Sequence, residues 1–252
     1  MSLLFSSVSG AKEFEAAVGA TENASALRSF KFGKFKPRAG DRIAFFGDSL
    51  TRANVYPTII EHHYRLHQPE LGLTFAQFGV DSNSSVDGAA RIDSDLVPFN
   101  PTVVVVFFGI NDALYRSPWE LPETQQRYAS FQVNYPHLLD LLNQKLPAAR
   151  LVLCTTTVID PVLLPEALGF DQAGFNDVLS HYSGFIHEVG KARGLPVVDL
   201  YNPMLKALRA GRAQSPPLLV IVDGVHPGIG GYTYLAAAFL EQWGAGRIRT
   251  LK

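Results

Sequence analysis

Six short apolar runs punctuate the chain, at 42–46, 73–78, 103–108, 150–155, 196–200 and, more weakly, 218–222. Each has strand length and little internal alternation, the pattern of strands buried on both faces of a sheet. Between them lie longer stretches with apolar residues at helical spacing, which predict helices at 55–67, 86–97, 124–145, 174–193, 203–209 and 230–243. Strand and helix in alternation imply βαβ units, and therefore a parallel sheet covered by helices on both faces. Right-handed crossovers would bring the carboxyl ends of all these strands to one edge.

Residues 1–40 follow a different pattern. Small and polar residues come first, then Phe30-Lys31-Phe32-Gly33-Lys34-Phe35-Lys36, in which aromatic and basic residues alternate. A period of two predicts a half-buried strand or an extended arm packed on a main domain at 41–252. A basic binding face is the alternative, although lysines opposite an apolar face are usually just solvated.

Composition narrows the picture. With 252 residues, 47% of them hydrophobic, the chain can bury a core of one good-sized domain. A formal net charge of -1 gives no global field to collect nucleic acid or an anionic membrane. No stretch approaches the roughly 20 apolar residues of a membrane span, so a soluble protein is expected. The N-terminus lacks a positively charged leader, its first base being Lys12. If residue 1 is the natural start, the expected location is cytoplasmic. The single cysteine, Cys154, lies inside an apolar run and reads as a small core residue.

The candidate chemistry clusters where the strands end. Gly47-Asp48-Ser49-Leu50-Thr51 follows the first apolar run, which puts Ser49 on a tight polar turn at the active edge of an open α/β sheet. A serine hydroxyl needs a base to become nucleophilic, and the base needs a carboxylate to hold its tautomer. Asp223-Gly224-Val225-His226 supplies both on one turn: Asp223 can reach Nδ1 of His226 while Nε2 faces Ser49. Donors for an oxyanion are available from the side-chain amide of Asn111, in Gly109-Ile110-Asn111-Asp112, and from the backbone N–H groups of Ser49 and Ser82. Each block alone has a plainer reading: a turn with a surface histidine, or Asn111 and Asp112 as helix caps. Together they fill every role of a serine esterase, with no cofactor and no metal required.

These four ordered blocks resemble the SGNH (GDSL) hydrolase family over roughly residues 42–243. The resemblance implies a three-layer α/β/α sandwich, flavodoxin-like, with a parallel sheet of about five strands. It also implies Ser49 as nucleophile, Asp223 and His226 as its partners, and Asn111 in the oxyanion hole. The chain departs from the family in the second block, where Val80-Asp81-Ser82-Asn83-Ser84 has Ser82 in place of the usual glycine. Gly79, three residues earlier, is the other candidate for that position.

Other functions are weighed on single features. His63 and His67 stand at i and i+4 on one predicted helix and could hold a metal, but no third ligand is evident. Gly228-Ile229-Gly230-Gly231-Tyr232-Thr233 lacks the last glycine of a dinucleotide fingerprint. Thr51 stands where an α/β-hydrolase elbow would need its second glycine. A non-catalytic binding module on the same fold also remains open. The expected substrate is a small-molecule or glycan ester with a short acyl group, such as a carbohydrate O-acetyl ester. A lysophospholipase or thioesterase is the alternative. Phe78, Tyr115, Trp119 and Phe170 are candidates for a substrate wall, and 160–170 for a partial lid.

Overall fold

The computed structural model describes residues 35–113, 117–164 and 174–246. Five parallel strands, β1 (Arg42–Gly47), β2 (Thr74–Gly79), β3 (Val103–Phe107), β4 (Arg150–Cys154) and β5 (Val197–Val198), form one sheet in the order β2-β1-β3-β4-β5. The order reverses between β1 and β3. The crevice at their carboxyl ends is therefore the topological switch point, where open α/β sheets bind ligands.

Within the described residues the helices are α1 (Ser49–Arg52), α2 (Val55–His67), α3 (Ser85–Ala90), α4 (Ile110–Ala113), α5 (Pro122–Lys145), α6 (Phe175–Arg193), α7 (Tyr201–Arg212) and α8 (Ile229–Gln242). α2 packs on α8 and α8 on α7, forming one layer; α3 packs on α5 and α5 on α6, forming the other. This is the expected α/β/α sandwich. Alternation along β1 serves both layers. Phe45 stacks at 6.4 Å with Trp243 and meets Tyr56 edge-on, whereas Phe46 meets Phe108 edge-on at 5.2 Å.

Two expected elements take another form. The segment expected as one helix at 86–97 divides into α3, a π-helical turn Ile92–Leu96 and a final turn Val97–Phe99. Pro98 has no N–H with which to continue an α-helical ladder, and Arg91 at the break has left helical geometry. The run 218–222 forms no sheet strand and makes only an isolated antiparallel bridge, Ile221 to Pro227. Leu218, Leu219 and Val222 are exposed, so only Val220 and Ile221 are available to the core. Of the expected N-terminal arm, residues 1–34 lie outside the described residues. Phe35 is buried 4.9 Å from the Trp243 ring, with the Arg150 guanidinium on its own ring.

Candidate active site

The sequence places Ser49 by a helix start. β1 ends at Gly47, and the next residue, Asp48, caps α1 by accepting a 2.9 Å hydrogen bond from Leu50 N–H. As first residue of that helix, Ser49 has an N–H with no intrahelical acceptor. The neighbouring strand must let α1 in close. A Cβ on Gly79 would lie 2.2 Å from the Arg52 nitrogen and 2.6 Å from the Asp48 carbonyl oxygen. Gly79 is thus a packing residue, and its N–H donates to Gln77 Oε1 at 2.8 Å.

Asp223 and His226 come from the doubled-back chain after α7. Val222 N–H donates to His226 O at 2.9 Å, and Gly228 N–H to Val220 O at 3.0 Å, closing a narrow loop. Asp223 Oδ1 accepts from the N–H groups of Val225 and His226, at 2.9 and 2.6 Å. Its Oδ2 lies 2.7 Å from His226 Nδ1, and His226 Nε2 lies 2.9 Å from Ser49 Oγ. Partial burial pushes the Asp223 carboxyl up, but these hydrogen bonds outweigh it and hold the group below its usual range. An ionised Asp223 favours the tautomer with Nδ1 as donor, which leaves Nε2 to accept the serine proton.

The loop is anchored from behind. Gly224, at φ +92°, accepts at its carbonyl from Asp160 N–H, 2.8 Å away. A Cβ there would fall 2.8 Å from the Leu164 nitrogen. Asp160 is fully buried and bonds the Arg212 guanidinium, at 2.9 Å to Nε, so α7 helps to fix the loop.

Asn111 and Ser82 face Ser49 from the other side. Asn111 begins no more than four residues beyond β3, and its Nδ2 donates to Asn83 O at 3.0 Å and approaches Asp48 Oδ2 at 3.4 Å. Ser82 sits in a turn closed by Asn83 N–H to Val80 O, with φ of +60°, the left-handed region that favours glycine. Its N–H has no hydrogen-bond partner among the described residues. Arg91 braces this side by donating to Asn83 Oδ1 and to Gly47 O, both at 2.7 Å. Behind it lie two carboxyls, Asp48 buried and Asp112 partly buried. Burial, with repulsion from Asp112, pushes Asp48 up to about 7; burial pushes Asp112 up to about 6 despite its hydrogen bonds from Ser85.

Ser49, Ser82, Asn111 and His226 open together into one cleft of about 700 Å³, bordered by Arg52, Ala53, Asp81 and Tyr232. Of the candidate wall, Phe78 packs at 5.4 Å against Phe99 and Trp119 lies flat on His181 at 3.6 Å; neither borders that cleft. Tyr115 and Phe170 lie outside the described residues. Of the candidate lid only 160–164 is described, and there Asp160 and Leu164 are buried anchors. The His63 and His67 rings are 4.6 Å apart, with His63 Nε2 on Ala245 O. Among the described residues no group of three metal-ligating side chains forms. Residues 228–233 cap and open α8 after a loop, without the strand a dinucleotide site would need. Cys154 is buried in β4, where desolvation holds its thiol well above the usual range.

Arg91, Ser85 and the Asp160–Arg212 pair leave no signal in the sequence, because the contacts that tie them to the site, Ser85 to Asp112, Arg91 to Gly47 O and Asp160 to Arg212, span 27 to 52 residues. Asp112 signals in the sequence only as a helix cap beside Asn111.

With this geometry the relatives fall into place. Residues 45–246 match the GDSL-like Lipase/Acylhydrolase family. The chain belongs to that family. It is accordingly a carboxylic ester hydrolase. An acetylxylan esterase of Geobacillus stearothermophilus is 24% identical over 231 residues, covering 84% of this chain and 98% of the relative. A solved structure of a catalytic mutant of an acetylxylan esterase from the same organism shares the fold at 21% identity and a TM-score of 0.67, over 86% of this chain and all of that one. A gut microbial diltiazem-metabolizing enzyme superposes with a TM-score of 0.73 at 25% identity; the match covers 84% of this GDSL-family chain and 48% of that enzyme.

Proposed function

We propose that this GDSL-family hydrolase cleaves small acyl esters through an acyl-enzyme on Ser49. The observation that carries the reading is the relay from Asp223 Oδ2 to His226 Nδ1 at 2.7 Å and from His226 Nε2 to Ser49 Oγ at 2.9 Å. His226 takes the proton as Ser49 attacks the ester carbonyl and returns it to the leaving alcohol; water then repeats the cycle on the acyl-enzyme. Asp223 holds the imidazole and stabilises its charged form. The N–H groups of Ser49 and Ser82 and the amide of Asn111 surround the place where the tetrahedral oxygen develops its charge.

A short acyl group is the expectation. The cleft border offers Ala53 and Tyr232 as apolar surface beside charged Arg52 and Asp81, too little to reward each further CH₂ at ~0.8 kcal/mol. The acetylxylan esterase relative makes a carbohydrate O-acetyl ester the first substrate to try. The test is Ser49→Ala, together with fluorophosphonate labelling of the wild type. The variant should keep only a residual of order 10³-fold over water, and the label should sit on Ser49. Normal turnover in the variant overturns the reading. A kcat/KM that rises through octanoyl and decanoyl p-nitrophenyl esters would move the assignment to a lysophospholipase or thioesterase.

A further inference from the structure

We infer that the Arg52–Asp81 pair at the cleft border binds the alcohol half of the ester, and that this alcohol carries adjacent free hydroxyls, as a sugar or another polyol does. The inference rests on the esterase reading above and names its substrate class. Both residues are tied by the backbone to the reacting centre. Arg52 lies three residues after Ser49 on α1 and so shares its face, while Asp81 immediately precedes Ser82 in the turn beside the oxyanion position. Both border the same cleft as Ser49, Asn111 and His226.

The pair is built so that much of its bonding capacity is left over. Arg52 Nε donates to Asp81 Oδ1 at 2.6 Å, with the side chains 58% and 54% exposed. Among the described residues, the Arg52 Nη1 and Nη2 groups and Asp81 Oδ2 have no partner. Donors on a rigid fork therefore stand beside a carboxylate acceptor. Two neighbouring hydroxyls, each both donor and acceptor, match that arrangement: one can accept from the guanidinium while the other donates to Oδ2. An apolar alcohol would cover the same atoms without replacing their water, and unpaired charged groups oppose such binding. An exposed ion pair contributes little to folding, so the pair can be altered without loss of the fold.

The experiment compares two acetates of six-membered-ring alcohols, one with adjacent free hydroxyls and one without: a mono-O-acetylated methyl pyranoside and cyclohexyl acetate, with p-nitrophenyl acetate as a third substrate. The wild type should prefer the pyranoside ester. Arg52→Ala and Asp81→Ala should each shrink that preference by about tenfold or more, mainly through KM, as expected for lost charged hydrogen bonds. The preference is a ratio of two kcat/KM values on one preparation, so a partly folded variant does not distort it. A wild type without the preference, or variants that retain it, while p-nitrophenyl acetate is hydrolysed, overturns the subsite and leaves the esterase reading standing. A wild type inactive on all three acetates overturns the esterase reading and this one with it.

Discussion

At Ser82 the backbone adopts φ +60°, where an L side chain is strained by about 1–2 kcal/mol and glycine is not. A glycine would meet this backbone requirement without strain, and Ser82 meets it at a cost. Ser82→Gly should therefore raise stability by about 0.5–1 kcal/mol, the relieved strain exceeding the entropy added to the unfolded chain, while kcat stays within a few-fold because the N–H remains. Urea melts and steady-state kinetics on p-nitrophenyl acetate check both halves; a drop in kcat as large as that of Asn111→Ala would show that the Ser82 hydroxyl takes part. Asn111→Ala removes a side-chain donor and should cost about 10²- to 10³-fold in kcat. It also frees Asn83 O, now bonded at 3.0 Å, so some of the loss could reach KM through the Ser82 turn. Asp223→Asn keeps the size of the side chain but favours the opposite imidazole tautomer, and should lower kcat by up to ~10⁴ with less change in KM. Near-normal kcat in that variant would mean that another carboxylate orients His226.

The elements that could be read from sequence are those whose signals are local. α2 runs Val55–His67, as the periodicity at 55–67 predicts, and β1 through β4 each fall on an apolar run. The 218–222 run misleads because apolar composition alone cannot tell a strand from a loop that exposes three of its five residues. The site is legible for the same reason as α2: Ser49, Asn111 and the Asp223–His226 turn lie at the ends of recognisable elements. Phe78 and Trp119 were legible only as aromatics near the right edge, and their ring partners Phe99 and His181 decide where they go. The anchor of the Asp223 loop could not be read at all, since Asp160 meets Arg212 across 52 residues of sequence. Its consequence belongs to the element. Arg212→Met would leave the Asp160 carboxylate buried and unpaired, which should destabilise by roughly 3–5 kcal/mol. The Gly224 carbonyl hangs on the same residue through Asp160 N–H, so kcat of the folded fraction should fall as well. Equilibrium unfolding and active-site-titrated kinetics separate the two; an unchanged urea midpoint would show that the pair bears no load.

For the whole molecule, a formal charge of -1 hides carboxyls displaced in opposite directions. Burial raises Asp48 to about 7 and Asp112 to about 6, and the two repel each other as they ionise. In Asp41, Asp87 and Asp223 hydrogen bonds outweigh burial, and those groups are lowered. The signs follow from linkage. The lowered carboxyls add stability that is present above their unfolded value of 3.8 and lost as pH falls below it. Asp48 and Asp112 do the reverse: the folded state binds their protons more tightly than the unfolded chain, so their contribution is complete below about 3.8 and is lost as pH rises through 6 to 7. His181 and His187, lowered by burial, favour the folded state above their usual 6.5 and oppose that trend, so an absolute Tm profile mixes several groups. A difference between two proteins isolates one of them. In Asp48→Asn the amide oxygen can keep the cap on Leu50 N–H, and the ionisable group is gone. The Tm of Asp48→Asn minus that of the wild type should therefore become more positive between about pH 5 and pH 8, by several degrees, on a scale where about 1 kcal/mol moves Tm by ~2–4 °C for a chain of this size. Calorimetry of both proteins across that range measures it. Parallel Tm curves would mean that Asp48 ionises in the fold as freely as in the unfolded chain, and that solvent or a neighbouring cation reaches the floor of the cleft.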